Sequence, residues 1–335
     1  MMQIRRIVYL IYYLKELDLE KFRKYITYAS EICGRTKIRL FIDMLSSVFR
    51  HNISMLDYFN LRFYSMDDTE RTKWAGTGFM YEYQLKMNPK VEREVLADKI
   101  MFLNHFKQFV NRAFSGIDDL RKNNQRAMEL LHNFSGSLVL KNSRGQIGAE
   151  VEVVRTDGLT VERLIEHMER NKYDLAEEYV IQHSDLMALS PTGLNTVRII
   201  TQLTGENVDF IGGRLRISVN SHVDNMAAGN IACAVDLNSG IVTGPGVFSD
   251  IRKPQHHFHP VTGMKITGFR IPFWEEVLNI ARCAALLTPG NRSVGWDIAI
   301  TPAGPELIEG NHNWCKLLWQ LPVNKGLKHE LEKYM

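Results

Sequence analysis

Three side chains with oxygen donors, those of Asp297, Glu309 and Asn311, are spaced along a stretch otherwise rich in isoleucine. Carboxylate and amide oxygens are hard ligands of the kind that Mg²⁺ prefers, and Mg²⁺ keeps open positions for water and substrate phosphates. The residue types therefore indicate a magnesium site. The alternative is a hairpin whose acidic residues are simply solvated.

The element that must position these three residues is a β-hairpin. Strands are predicted at Trp296–Thr301 and Leu307–Asn311, because polar and apolar residues alternate on both sides of a turn rich in Pro and Gly. If Asp297 lies opposite Asn311, alternation places both of them and Glu309 on one face and the isoleucines on the other. The first face would be the site and the second would be core.

Two segments, VGWDIAIT and GPELIEGN, resemble the metal-binding end of the ATP-grasp superfamily. In them Glu-x-Asn comes twelve positions after an Asp. They are most similar to the sugar-transfer-associated ATP-grasp family of bacterial surface-polysaccharide clusters. DYFNLRFYSMDDTER, LNTVRIIT and HPVTGMKITGFRIPFW resemble the same family. The resemblance implies an α+β protein with the ATP-grasp fold, in which two lobes with antiparallel sheets grip ATP. A helical N-terminal region (1–95), a nucleotide-gripping lobe (96–182) and a C-terminal catalytic lobe (183–335) are expected.

A lysine beside a glycine-containing loop is the main candidate for phosphate binding. Lys141 ends a strand predicted at 137–141, and Gly145 and Gly148 follow it. Glycine lets N–H groups approach phosphate oxygens and an ammonium offsets their charge, although such a lysine is also common in hairpins. The GxxxxGK(S/T) spacing of a Walker phosphate-binding loop is absent from this segment. The resemblance implies that Lys141 contacts the α- and β-phosphates and that Lys99, at the start of a helix, also lies near the phosphates.

The segment 176–182, AEEYVIQ, is predicted as a strand. It resembles the hinge at which ATP-grasp proteins hydrogen-bond adenine through backbone groups, which implies that role for Glu178 and Val180. The ribose contact would come from one of three polar side chains nearby, those of Gln182, His183 and Asp185.

Three arginines lie on predicted strands that are otherwise rich in isoleucine and valine. Alternation places Arg198 on one face of its strand, and Arg214 and Arg216 together on one face of the next. Buried guanidinium groups need anions, and ion pairs with Asp209 or Glu206 are the ordinary explanation. The resemblance of LNTVRIIT to the family implies instead that Arg198 and Arg214 contact the transferring phosphoryl group.

Several polar residues are candidates for contacting the substrate. The resemblance of the segments that contain them implies this role for Asn195 and His259. Asp224, Asn225 and Asn230 come just ahead of a predicted strand and are expected to line the acceptor pocket. His259 belongs to an HHxH cluster with His256 and His257, which lacks the helical i, i+4 spacing of metalloprotease motifs. A substrate-contacting or exposed loop is therefore favoured over a zinc site.

Composition narrows the class of protein. The 335 residues, 45% of them hydrophobic, suffice for one large or two smaller domains. A net charge of +3 gives no support for a nucleic-acid surface. The four cysteines are far apart and form no CxxC pair, so neither a disulfide framework nor a zinc site is predicted, and a cytoplasmic location is expected.

The first fifty residues carry ten basic and five acidic side chains, a net charge of +5. Apolar residues at helical spacing predict an amphipathic helix near the start, formed with Ile7, Leu10, Ile11, Leu14 and Leu17. Its apolar run is too short to span a bilayer, and no small-residue cleavage site follows. Packing on its own domain is the first interpretation. Contact of residues 1–24 with an anionic membrane at its inner face is the second.

The function that the resemblance implies is an ATP- and Mg²⁺-dependent ligase, with Mn²⁺ as the alternative metal. It would join a carboxylate to an amine or thiol through an acyl phosphate, in cell-surface polysaccharide biosynthesis. Its partners would be ATP, a carboxylate substrate and an amine acceptor, with a sugar attached to one of them, and glycosyltransferases of the same pathway. Two alternatives stay open: a kinase of the same fold acting on a sugar hydroxyl, and a non-catalytic membrane-associated partner of glycosyltransferases.

Overall fold

The computed structural model describes residues 2–145, 151–221 and 224–335, with side chains from residue 6 onward. Gly148, one of the two loop glycines beside Lys141, lies outside these ranges. Within them the α-helices are α1 (Met2–Lys15), α2 (Leu19–Cys33), α3 (Lys37–His51), α4 (Met55–Asn60), α5 (Asp68–Thr72), α6 (Thr77–Met87), α7 (Glu94–Ala97), α8 (Lys99–His105), α9 (Ile117–Lys122), α10 (Asn124–Leu131), α11 (Val161–Asn171), α12 (Ser184–Leu189), α13 (Trp274–Leu287), α14 (Lys316–Gln320) and α15 (Lys328–Glu332). The strands are β1 (Phe114–Gly116), β2 (Ser137–Lys141), β3 (Val151–Arg155), β4 (Leu175–Glu178), β5 (Thr196–Thr204), β6 (Asn207–Ile217), β7 (Ile231–Val235), β8 (Ser293–Thr301) and β9 (Gly304–Asn311).

Local signals define the helices of the N-terminal region. Asp18 caps α2 by accepting from the N–H of Lys21, and α2 ends at Gly34, whose φ of 67° is left-handed and suits glycine. Thr36 caps α3 in the same way. The apolar faces of α2, α3 and α4 then pack into a common core rich in aromatic residues, including Tyr25, Tyr58 and Phe59.

Helix α1 forms as predicted, but the apolar residues expected to share one stripe point in two directions. Leu10 and Leu17 pack on the core of the N-terminal region. Ile7, Ile11 and Leu14 are 52%, 63% and 55% exposed. The stripe is split because the side chain that α1 buries most completely is Tyr13. In the described parts of the chain, no helix has both the length and the apolar character needed to cross a bilayer.

The smaller sheet has strand order β1-β4-β2-β3, and neighbouring strands run antiparallel. Leu138 and Leu140 of β2 face the cluster formed by α9, α10 and α11. Lys141 directly follows Leu140 and therefore lies on the opposite face of the sheet, where it pairs with Leu175 of β4. Leu175 packs into the core of the larger lobe, so this face of the smaller sheet looks towards that lobe.

The larger sheet has strand order β7-β6-β5-β8-β9 and is also antiparallel. One face is apolar and packs with α13, through residues such as Val197, Ile199 and Ile298. The other face carries the arginines of β5 and β6 and the acidic residues of β8 and β9. Two antiparallel sheets behind a helical N-terminal region confirm the predicted fold class, whereas the boundaries at residues 95 and 182 stay predictions.

One predicted element is shorter than expected. The strand predicted over 176–182 ends at Glu178, and residues 179–182 are irregular. At the end of the chain, α15 is a short helix in which Leu331 is fully buried. Leu331 packs with Trp314 and Trp319, so this segment belongs partly to the core.

The N-terminal region is joined to residues that follow the larger sheet. The Gln320 amide exchanges two hydrogen bonds with the backbone of Ala75, 3.0 Å each. Lys316 forms an ion pair of 3.0 Å with the buried carboxylate of Asp57. Leu317 and Leu321 pack against the aromatic core of the N-terminal region. The helices therefore do not fold as an isolated appendage.

Candidate active site

The hairpin of β8 and β9 brings the three predicted metal ligands onto one face of the larger sheet. Asp297 pairs with Glu309, and Asn311 pairs with Gly295. The assumption that Asp297 lies opposite Asn311 is therefore wrong. A register shift follows Asp297, so the residues of β8 after Asp297 pair with β9 in a different register from the residues before it. The three oxygen-bearing side chains nevertheless share a face, because directly paired residues and residues two apart point the same way.

Asp297 is surrounded by arginines from the neighbouring strands. Because β5 lies between β6 and β8, Arg198 pairs across the sheet with both Asp297 and Arg214. The Arg198 guanidinium donates to both carboxylate oxygens of Asp297 through Nε and Nη2, the second bond being 2.7 Å long. Arg216 donates to Asp297 at 2.6 Å. Ion pairs with Asp209 or Glu206, the ordinary explanation for these arginines, are wrong: Arg198 and Arg216 pair with Asp297 on β8, and Arg216 also pairs with an aspartate in the loop after β6.

The second anion of this network is Asp224. It forms an ion pair of 2.7 Å with Arg216 and accepts a hydrogen bond from the hydroxyl of Thr196. Burial raises the pKa of Asp224, against the attraction of Arg216. Asp224 therefore belongs to the charged face of the sheet. It was expected to contact the substrate, and in this structure it contacts Arg216 and Thr196 of the protein itself.

The two carboxylates of the hairpin have opposite electrostatic environments. Burial alone would raise the pKa of Asp297, but Arg198 and Arg216 hold it well below its ordinary value. Burial raises the pKa of Glu309, and the neighbouring charge of Asp297, within hydrogen-bonding reach, raises it further. Asp297 is thus a fixed anion, whereas Glu309 is held beside a like charge that a cation would offset.

The residues present fit a divalent cation. The Asn311 side-chain nitrogen donates to Glu309 at 3.1 Å and approaches the carbonyl of Gly295 at 3.5 Å. Among the described residues no donor contacts the amide oxygen of Asn311, so this oxygen can face a cation. The site has only two carboxylates, and in the described ranges no three or more His, Cys, Asp or Glu side chains come together in a way that could hold a metal ion. Two carboxylates, one amide oxygen and water are a donor set that suits Mg²⁺.

Gly295 makes room for Arg198 within this face. A Cβ atom there would lie 2.8 Å from Cβ of Trp314, 3.0 Å from Cδ of Arg198 and 3.2 Å from its Nη1. Any larger residue would displace the guanidinium from Asp297. Nη1 has no hydrogen-bond partner among the described residues.

Arg214 shares this strand face but is not brought into the network. Its guanidinium donates to the backbone carbonyls of Leu318, at 3.2 Å, and Trp319, at 3.0 Å. Burial without a carboxylate partner lowers its pKa to about 10. Arg214 therefore holds α14 on the sheet, and its predicted phosphate contact stays a prediction that would require these bonds to break.

Lys141 of the smaller sheet is linked to the larger sheet through a buried ion-pair chain. Its ammonium contacts Glu177 on β4, and Glu177 accepts from Nε of Arg112 at 2.6 Å. Arg112 also donates to the carbonyl of Leu307, at 2.8 Å, and approaches Glu306 at 3.4 Å, both on β9. Although burial opposes it, Lys141 and Arg112 lower the pKa of Glu177 to about 2. The chain Lys141–Glu177–Arg112–Glu306 thus connects the two sheets.

Lys99 lies between the phosphate-loop candidate and the metal-site candidate. Asp98 caps α8, so Lys99 is its first residue. Its ammonium donates to the carbonyls of Ser143, at 3.2 Å, and Gly145. Burial lowers the pKa of Lys99, the charge of Glu309 opposes this, and the charge of Lys141 reinforces it. The charges of Glu309 and of Lys141 thus both act on Lys99, whose ammonium is held by the loop that follows β2.

The residues predicted to contact adenine and ribose differ in whether their polar groups already have hydrogen-bond partners in the protein. The backbone N–H of Glu178 donates to Ala113 at 2.7 Å, and its side chain accepts from the N–H of Ala113. Val180 has no backbone hydrogen-bond partner among the described residues. For the ribose, Gln182 is committed to Gly193 and Asn195, whereas the side chain of Asp185 is mostly exposed. Val180 and Asp185 are thus the candidates whose groups stay accessible.

Three of the substrate candidates hold the end of β6 in place. Asn195 accepts from the N–H of Ser218 at 2.9 Å, and Nε2 of His259 lies 2.9 Å from the carbonyl of the same residue. Asn230 accepts from Val219 at 2.7 Å. Burial lowers the pKa of His259. Asn225 caps the short turn that follows it by accepting from Ala227. These positions shape the wall beside Asp224, and their direct contact with substrate stays a prediction.

Reasoning from the sequence missed Arg112 and Glu177 and gave Arg216 no role. Strand alternation already placed Arg216 on the site face, so that signal was present. The pairing of Arg112 with Glu177 spans 65 residues, and no local pattern announces it.

The larger sheet thus gathers two carboxylates and an amide on one face, and Lys141 lies on the face of the smaller sheet that looks towards the larger lobe. The family model for sugar-transfer associated ATP-grasp matches residues 79–335, and the chain belongs to this family. No curated protein matches the sequence.

Solved structures with low sequence identity share parts of the fold. One is an L-amino acid ligase from Bacillus licheniformis, at 12% identity and a TM-score of 0.40, covering 73% of this chain and 44% of that one. Another is a D-alanyl-alanine synthetase A from Vibrio cholerae, at 9% identity and 0.41, covering 72% and 61%. A third is a biotin carboxylase from Campylobacter jejuni, at 12% identity and 0.47, covering 77% and 52%. The chain thus spans less than two thirds of the length of each.

Proposed function

We propose that this protein is an ATP-dependent ligase that activates a carboxylate as an acyl phosphate and passes it to an amine, or to a thiol. Cell-surface polysaccharide assembly is the proposed setting, because the family description associates these proteins with sugar transfer. The substrate or acceptor would then carry a sugar, and glycosyltransferases of the same pathway would be partners.

The observation that carries the proposal is the convergence of Asp297, Glu309 and Asn311 on one sheet face. A triphosphate needs both a cation and basic side chains, and the basic side chains proposed here, Lys141 on β2 and Lys99 on α8, come from outside the larger sheet. The like-charge pair of Asp297 and Glu309 supports the metal assignment, since the charge of Asp297 raises the pKa of Glu309 against the attraction of Arg198 and Arg216. A purely structural role would be served better by a neutral residue at position 309.

The two sheets would contribute differently to phosphoryl transfer. Lys141 of the smaller sheet and Lys99 of α8 would hold the phosphates, and Nη1 of Arg198 would donate to the transferring group from the larger sheet. Such transfer depends on positioning and on electrostatic stabilisation, with little covalent participation of the protein. Asp297, Glu309 and Asn311 would hold Mg²⁺, which supplies positive charge beside the phosphate oxygens. No side-chain nucleophile is required.

The reaction would then proceed in two balanced steps. A substrate carboxylate oxygen bonds to the γ-phosphorus while the bond to the β-phosphate oxygen breaks, which releases ADP. The amine nitrogen next bonds to the acyl carbon, inorganic phosphate leaves with the bridging oxygen, and the nitrogen loses a proton. The products are an amide, ADP and phosphate.

The proposal is tested by incubating the purified protein with ATP, Mg²⁺, a panel of carboxylates that includes sugar acids, and hydroxylamine. Hydroxylamine converts an acyl phosphate into a hydroxamate that mass spectrometry detects, so the natural acceptor need not be known. Hydroxamate formation with stoichiometric ADP supports a ligase. Glu309→Gln and Lys141→Met should each reduce the rate at least a hundredfold. Glu276→Gln, at an exposed carboxylate of α13, should leave it unchanged.

Other outcomes would replace the proposal. A stable phosphorylated sugar without hydroxamate would indicate a kinase of the same fold. Failure to bind ATP with Mg²⁺ by calorimetry would indicate a non-catalytic partner of glycosyltransferases. Equal activity of Glu309→Gln and the unsubstituted protein would remove the metal assignment.

A further inference from the structure

Helix α3 presents a regular apolar stripe to solvent. Ile38, Ile42 and Phe49 lie along one side of the helix, and Leu45 between them is partly buried against the core of the N-terminal region. Ile38 is 74% exposed, Ile42 62% and Phe49 37%, whereas Leu40 and Met44 on the opposite side are fully buried. The helix is therefore apolar on two sides, and only one of them is used by the fold.

Helix α1 repeats this arrangement with Ile7, Ile11 and Leu14, which point away from the core. The two helices contact each other, because the Arg6 guanidinium donates to the backbone carbonyl of Phe49. We call the outward residues of both helices the outer helical face: Ile7, Ile11, Leu14, Ile38, Ile42 and Phe49. Single exposed apolar residues are ordinary, but two adjacent helices with regular apolar stripes mark an interaction surface.

The two helices of the outer helical face carry more basic than acidic side chains. The sequence of α1 contains three basic residues and no acidic residue. That of α3 contains Lys37, Arg39 and Arg50 against Asp43, and Arg50 is paired with Asp68 of α5 at 2.5 Å, so Lys37 and Arg39 supply the free positive charge of α3. Asp43 is already engaged, because it accepts from Arg71 at 2.7 and 2.8 Å and from Tyr58 at 2.7 Å. The helices therefore surround exposed apolar side chains with net positive charge.

This combination discriminates between occupants of the face. A second copy of the chain would bring two positive rims together, which is unfavourable for like charges. An anionic phospholipid surface would accept the apolar side chains among its acyl chains and attract the basic ones to its headgroups. Tyr12 on α1 is 58% exposed and adds an amphipathic ring of the type that favours the membrane interface.

We propose that the outer helical face docks on an anionic bilayer surface, with α1 and α3 lying in the plane of the interface. Residues 1–78 lie outside the part of the chain that the family model matches, so this surface is additional to the ATP-grasp lobes. The proposal is independent of the chemistry at Asp297 and Glu309. It places the catalytic lobes beside a membrane without requiring a helix that crosses it.

The test uses the full chain in flotation with vesicles of phosphatidylcholine alone or with 30 mol% phosphatidylglycerol. The protein should float only with the anionic vesicles, and the bound fraction should fall as salt is raised. Ile11→Asp combined with Ile42→Asp should weaken binding at least tenfold. Lys37→Glu combined with Arg39→Glu should weaken it by about fivefold for each basic residue removed, because each contributes a comparable attraction to an anionic surface.

The matched control is Met128→Asp, at an apolar side chain on α10 that is 42% exposed and lies in the smaller lobe. It should bind vesicles like the unsubstituted protein, and circular dichroism should show every variant folded. If the isoleucine variants do not fold, the Lys37 and Arg39 variant decides the question alone. Absence of flotation with anionic vesicles overturns the proposal. So does equal loss in Met128→Asp, or a dimer in solution that the isoleucine substitutions dissociate.

Discussion

Replacing Asp297 with Asn and Glu309 with Gln should have opposite effects on the stability of the metal-free protein, although both carboxylates are assigned to the same ion. Asp297 accepts hydrogen bonds from the buried guanidinium groups of Arg198 and Arg216. Its replacement leaves two buried cations facing a neutral amide. Glu309 has no cationic partner within hydrogen-bonding distance among the described residues, and burial and the charge of Asp297 raise its pKa against the attraction of Arg198 and Arg216.

The magnitude for Asp297→Asn follows from the loss of one partner of a buried ion pair, which costs about 3–5 kcal/mol. An unfolding entropy of about 2.1 cal/mol/K per residue converts this into a Tm lowered by roughly 4–7 °C, if the chain unfolds as one unit. For Glu309 the sign is the reverse. Because its pKa is raised in the folded state, its stabilising contribution is present below the ordinary value of 4.5 and is lost as pH rises through the folded pKa.

Glu309→Gln should therefore raise the Tm at pH 8 in the presence of EDTA, and its advantage should shrink towards pH 4.5. Addition of Mg²⁺ with ATP should stabilise the unsubstituted protein by about 1.4 kcal/mol at ten times the dissociation constant, and neither variant should show this gain. Scanning calorimetry at pH 4.5, 6 and 8, with EDTA or with Mg²⁺ and ATP, measures all of these effects. The reasoning fails if Asp297→Asn melts no lower than the unsubstituted protein, or if Glu309→Gln melts lower than it in EDTA at pH 8.

The interlobe ion pairs and Arg214 lead to three further expectations. Glu177→Gln leaves Arg112 and Lys141 without their shared carboxylate. Urea denaturation should therefore show a free energy of unfolding lower by about 3–5 kcal/mol, and calorimetry a roughly tenfold weaker affinity for ATP. An unchanged midpoint of the urea transition would contradict this. Because the pKa of Glu177 is lowered to about 2, its contribution is present above the ordinary value of 4.5 and is lost as pH falls through about 2. The stability difference between the unsubstituted protein and Glu177→Gln, followed by circular dichroism, should narrow across that window. Arg214→Met should cost about 1–3 kcal/mol by freeing buried carbonyls, while kcat per folded molecule stays within threefold; a hundredfold loss of kcat at unchanged stability would instead place Arg214 on the phosphate.

The sequence was informative where a strong local pattern coincided with an element. Alternation predicted the hairpin of β8 and β9, and it placed Asp297, Glu309 and Asn311 on one face. Lys141 was likewise predicted to end a strand over 137–141, and β2 has these bounds. These features depend on neighbours in the chain, and such neighbours are visible in the sequence.

Contacts between distant segments could not be read in the same way. The pairing of β5 with β8 sets Arg198 against Asp297 across 99 residues, and no periodicity reveals which strand lies beside which. The register after Asp297 depends on a bulge, whose position follows from the twist and packing of the sheet as well as from residue type. Asn195 and His259 have residue types suited to binding a substrate, but their polar groups are used to satisfy the backbone around Ser218.

The contact between Gln320 and Ala75 joins residues 245 positions apart and has a consequence for how the chain is made. During synthesis the N-terminal helices leave the ribosome long before Leu317, Gln320 and Leu321, against which they finally pack. Their core cannot be completed while the rest is being translated, although domains ordinarily fold from the N-terminus as they emerge. Nascent chains stalled before residue 316 should therefore expose aromatic surface to chaperones and proteases, and release of the segment 316–321 should end that exposure.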